Sequence, residues 1–80
     1  MHDNAYSDPR IQFGLKLVEI RKTKGWSQER LALESGLARS YLGGVERGQR
    51  NIALLNIVKL AEALEVSPAT LLAPPDQNYV

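Results

Sequence analysis

Apolar residues recur along this chain at helical intervals, and nowhere do they alternate at the period of two that a strand requires. Phe13, Leu17 and Ile20 fall at i, i+4 and i+7. They predict a first helix from about Pro9 to Lys24, opened by the Asp8-Pro9 cap and closed by Gly25. Ser27 follows as the N-cap of a second, short helix. That helix ends at Gly36, the residue type best suited to a left-handed helix terminus. Glu29 lies in its first turn, where the helix dipole favours a negative charge. A third helix spans about Ala38 to Arg47, with Leu42 and Val45 as its inward pair and Gly48 at its end. Leu54, Ile57, Val58, Ala61 and Leu64 form the apolar stripe of a fourth, from about Ala53 to Glu65. Ser67-Pro68 opens a fifth helix that runs through Leu72, and Pro74-Pro75 stops it.

Five short helices with tight connections imply an all-α, compact five-helix bundle. At 80 residues the chain holds one domain with a thin core. We expect that domain over residues 9–73, between a flexible N-terminus at 1–8 and a flexible tail at 74–80. Hydrophobic residues make up 44% of the chain, which places it among globular rather than disordered proteins. No apolar run approaches the ~20 residues of a bilayer span, and the polar start lacks a signal-peptide core. With no cysteine, disulfides and thiolate metal sites are excluded, which suits a reducing cytoplasm. The one histidine, His2, stands near the N-terminus, and no acid–base pair or phosphate loop can be recognised. The sequence therefore argues against an enzyme and calls for no cofactor or metal.

Charge changes the picture. The net charge is only +1, yet eight bases and three acids lie between Arg21 and Lys59, a local charge of +5. A basic middle between acidic ends is either the footprint of a polyanion site or an ordinary solvated surface. The helices at 27–35 and 38–47, meeting at Gly36, decide for the first, because this is the layout of a helix-turn-helix. The second helix of such a unit enters the major groove, while the first crosses the backbone and holds the angle. Ala32 is small enough for the crossing, and Leu31, Leu37, Leu42 and Val45 would lock the unit to the body.

The stretch SQERLALESGLARSYLGGVERGQRN, followed by LLNIVKLAEALEVSPATLL, resembles the Cro and phage-repressor (XRE-like) type of helix-turn-helix domain. The likeness covers about residues 11–72 and implies a lambda-repressor-like fold with its helix-turn-helix at 27–47. Ser27-Gln28, Gly36, Tyr41-Leu42, Glu46-Arg47-Gly48 and the later Leu-Ala-x-Ala-Leu-x-Val-Ser carry it. Free-standing chains of this size most resemble the controller proteins of restriction–modification systems. Prophage repressors and DNA-binding antitoxins are other members.

The resemblance implies residue roles. Arg39 and Ser40 would read bases, arginine being suited to the O6 and N7 of guanine. Gln28 would hold a phosphate at a helix start, and Tyr41 would either touch the backbone or pack partly into the core. Arg47, Gln49, Arg50 and Asn51 would follow the phosphate backbone, with capping of the fourth helix as a second role for Asn51. Gly43 and Gly44 carry no side chain to read a base, and either admit DNA closely or face solvent. Ala38 replaces the usual serine cap, at a cost of ~1 kcal/mol. Arg21 and Glu46 would form an ion pair that orients the recognition helix.

Ile11, Leu15, Val18 and Leu55 exceed what one small core needs, and the family's dimer region adds Leu71 and Leu72. The expected molecule is thus a homodimer reading a near-palindrome in double-stranded DNA, as a repressor or activator in contact with RNA polymerase. The alternative is an antitoxin-like module whose main ligand is a protein.

Overall fold

The computed structural model describes residues 8–76. The expectations for residues 1–7, His2 included, and for residues 77–80 lie outside them. The described residues form five helices: α1 (Pro9–Thr23), α2 (Gln28–Ser35), α3 (Arg39–Glu46), α4 (Leu54–Leu64) and α5 (Pro68–Leu72). They contain no strand.

Local chemistry sets the ends. The Asp8 side chain accepts the Arg10 N–H, Ser27 that of Arg30 and Ser67 that of Thr70, so three helices open on side-chain caps. Ala38 and Ala53 occupy the caps of α3 and α4 and supply no such bond. Asn51 is therefore not the cap of α4, since that helix begins two residues beyond its reach. Gly36 ends α2 at φ 75°, left-handed, which lets the chain reverse into α3 without a Cβ clash.

α1 packs on α3 and α5, α2 on α3 and α4, and α4 on α5. Their shared core holds Phe13, Leu17, Leu31, Leu42, Val45, Leu60, Leu64 and Leu71, with Ala32 at the α2 crossing. A second small residue governs a closer approach. A Cβ on Gly14 would stand 2.5 Å from the Glu46 carbonyl oxygen and 2.7 Å from that of Val45, so α1 crosses the end of α3 backbone to backbone.

Two expectations change. The buried face of α4 is Ile57, Leu60, Ala61 and Leu64, whereas Leu54 at its first turn is 71% exposed and outside the core. Leu71 is fully buried, so it is a core residue and not part of a dimer surface. Leu72, the next residue, is 61% exposed. Beyond α5, Asp76 is tied to α1, its backbone N–H donating to Glu19 at 2.9 Å and its carboxylate lying 3.6 Å from Lys16.

Candidate nucleic-acid interface

α3 and the loop that follows it present one basic face. Leu42 and Val45 turn inward, which leaves Arg39 and Ser40 exposed at the start of α3 and Arg47 exposed at its end. The face between them is bare of side chains at Gly43 and Gly44. A Cβ on Gly43 would lie 3.1 Å from Arg47 Nη1 and 3.2 Å from Arg39 Nη1. One on Gly44 would lie 3.1 Å from Arg50 Cγ and Nε. The glycines therefore neither face open solvent nor stand free. They are the bed on which three arginines lie, a use that sequence reasoning missed. The signal was present in the spacing of Arg39, Arg47 and Arg50 about a glycine pair.

Each arginine has a light tether. Arg39 Nε donates to Glu29 across the turn at 3.3 Å, and Arg47 Nε donates to Gln49 at 3.2 Å. The Arg50 guanidinium lies 5.7 Å from the Tyr41 ring centre, a cation–π distance. Tethers this exposed add little stability. Tyr41 is half-buried against the core, and its hydroxyl accepts from Asn56 at 3.1 Å. The packing reading of Tyr41 is thus the one visible here, and its hydroxyl retains a hydrogen to donate. Gln49 and Asn51 are exposed beside Arg50. The Glu29 carboxyl is held below its ordinary value, first by its own backbone N–H at the α2 start and then by Arg39.

Behind this face sits a buried charge network. Arg21 grips Glu46 with two bonds, Nε to Oε2 at 2.7 Å and Nη2 to Oε1 at 3.0 Å. Its Nη1 donates to the Trp26 carbonyl at 2.8 Å, and the Gln28 amide donates to Glu46 at 2.6 Å. Arg21 and Glu46 are each over nine-tenths buried. Every buried side-chain polar atom among the described residues has a partner, which is the condition for tolerating charge in a core. The network ties α1, the α2 start and the last turn of α3 together, and so fixes the angle of α3. Gln28 is drawn inward by it. Its Nε2 is a link in this chain, while its Oε1 lies 3.8 Å from the place of a Gly43 Cβ on the glycine face; the sequence did not reveal the link because donor and acceptor stand 18 positions apart.

The apolar residues expected at an interface divide. Leu55 and Leu72 are 73% and 61% exposed, and Leu54, next to Leu55, is also exposed. Leu72 borders a groove of about 190 Å³ floored by Phe13, Ile52 and Ile57 and rimmed by Arg10, Arg50 and Asn51. Lys22 is exposed, and Lys24 is engaged elsewhere, 5.0 Å above the Trp26 ring and 3.6 Å from Glu65. Among the described residues no His, Cys, Asp and Glu group is placed to hold a metal, and no helix is long and apolar enough to cross a membrane.

Comparison with known proteins gives this geometry a context. The helix-turn-helix family HTH_3 matches residues 17–71. Control protein C.BamHI of Bacillus amyloliquefaciens is 48% identical over 64 residues, which are 79% of each chain. The crystal structure of the restriction–modification controller protein C.AhdI from Aeromonas hydrophila superposes with a TM-score of 0.76 at 60% identity, covering 78% of this chain and 94% of that one. SinR, a master regulator for biofilm formation crystallised in complex with DNA, gives 0.73 at 37% identity over 76% of this chain and 98% of its own.

Proposed function

This chain belongs to the HTH_3 family of helix-turn-helix proteins, and we propose from that premise how it works as a DNA-binding transcription regulator. α3 enters the major groove. Arg39 and Ser40 read bases, while Arg47, Gln49, Arg50, Asn51 and the Tyr41 hydroxyl line the phosphates on either side. The observation that carries this reading is the set of three arginines converging on the glycine-bared face of α3. A side chain at 43 or 44 would hold that face off the DNA, whereas the guanidinium ends can meet phosphate and base.

The regulator acts as a homodimer. The exposed Leu55 and Leu72, joined by Leu54, supply an apolar surface that the core leaves uncovered. A two-fold axis there would set two α3 helices about 34 Å apart, one helical turn of DNA, on a near-palindromic operator. The names of C.BamHI and C.AhdI favour control of a restriction–modification system as the biological role. RNA polymerase is the further partner that such control requires, and the cytoplasm is where it takes place.

Selection of purified protein against a random duplex library at ~150 mM salt, where non-specific binding is weak, tests the reading. The expected product is a near-palindrome with half-sites one turn apart. Salt-sensitive binding with no enriched sequence would reject sequence-specific regulation.

A further inference from the structure

We propose that Glu29 is a positioning residue for base recognition: it holds the Arg39 guanidinium by its Nε edge, so that both terminal amino groups are directed at a guanine. The proposal rests on the DNA-binding reading above.

Glu29 and Arg39 stand ten positions apart, on the first helix of the motif and the start of the second. The bond uses Arg39 Nε at 3.3 Å, which leaves Nη1 and Nη2 for the two acceptors, O6 and N7, that guanine offers in the major groove. Glu29 stands in the first turn of α2, where the helix dipole favours its negative charge. On the other side Arg39 Nη1 passes 3.2 Å from the place where Gly43 lacks a Cβ. The guanidinium thus lies between the Glu29 carboxylate and the bare backbone of α3. Among the three arginines over the glycines, Arg39 is the one that an acid holds.

A stability role does not account for Glu29. Its side chain is 71% exposed in the pair, and exposed ion pairs add little. An acid on a DNA-facing surface opposes phosphate binding. What it supplies is a fixed arginine rotamer, and loss of rotamer freedom on binding lowers affinity by roughly 2- to 12-fold per long side chain. Only a site that engages Arg39 gains from that order, so the gain appears as discrimination between bases.

The test measures dissociation constants by fluorescence anisotropy for the selected operator and its single-base variants. It compares the native protein with Arg39→Ala, Glu29→Ala, Glu29→Gln and the double variant Glu29→Ala/Arg39→Ala. Arg39→Ala identifies the base pair that Arg39 reads. Glu29→Ala should lower discrimination at that pair by about 2- to 12-fold and leave other pairs unchanged. Glu29→Gln, which keeps an acceptor oxygen, should fall between, and the double variant should discriminate no worse than Arg39→Ala alone. Overall charge effects cancel in these ratios. If both Glu29 variants tighten binding to every duplex alike while the ratio at that pair stays native, the positioning role is wrong although base reading by Arg39 stands. If Arg39→Ala alters no ratio, the base-reading assignment fails, and the positioning role with it.

Discussion

Glu46→Ala tests whether the buried charge network holds the recognition helix in place. The Glu46 side chain is 3% exposed and accepts three donors, two from Arg21 and one from Gln28. Truncation leaves the Arg21 guanidinium charged, 11% exposed, with the Trp26 carbonyl as its remaining partner. Breaking a buried pair from one side costs about 3–5 kcal/mol. A chain of 80 residues has a total stability of roughly 4–12 kcal/mol, so a quarter or more of it should vanish. With a urea slope near 1–1.5 kcal/mol/M, the midpoint should fall by roughly 2 M or more. Circular dichroism follows the helices, and Trp26 fluorescence reports on the network directly. The variant Arg21→Met/Glu46→Leu removes both charges and should recover most of the loss, because well-packed apolar residues replace a buried pair at little cost. It should still bind operator poorly, since the bonds that set the angle of α3 are gone. A loss under about 1 kcal/mol for Glu46→Ala, or a double variant as unstable as the single one, would refute the reasoning.

Other substitutions separate the remaining roles. Ala38→Ser supplies the side-chain cap that α3 lacks and should raise stability by ~1 kcal/mol in urea unfolding. Leu71→Ala opens a cavity at a fully buried site and should cost about 2–5 kcal/mol. Leu72→Ala should leave monomer stability within ~0.5 kcal/mol and instead shift sedimentation toward monomer. The hydrogen bond from Arg10 holds the Asp8 carboxyl below its ordinary 3.8. Its folded-state value is depressed, so the α1 cap is intact above that pH and is lost as pH falls through the lower value. Amide chemical shifts at the start of α1 should follow that titration, and Asp8→Asn should abolish it.

The boundaries of all five helices were legible because their signals are local. Asp8-Pro9, Ser27, Gly36 and Ser67-Pro68 each act within a turn of where they stand. The basic face was legible as residue types, and Arg39, Ser40, Arg47, Gln49, Arg50 and Asn51 are exposed. The hidden features depend on contacts between distant positions. Gln28 turns inward because Glu46 lies 18 residues on. The close crossing at Gly14 depends on the backbone of residues 45 and 46. Leu54 and Leu71 were exchanged for a related reason. An apolar residue at the end of a short helix carries too little periodicity to show its side, and the packing of α5 on α1 and α4 decides it.

If α3 enters the major groove as proposed, Arg39 reads a guanine there. The most direct measurement replaces the guanine of the selected operator that depends on Arg39 by 7-deazaguanine, which removes the N7 acceptor and leaves base pairing intact. The native protein should bind the modified duplex about 2- to 10-fold more weakly, the worth of one hydrogen bond, and Arg39→Ala should bind both duplexes equally. Equal binding of both duplexes by the native protein, or the same loss in Arg39→Ala, would contradict the account.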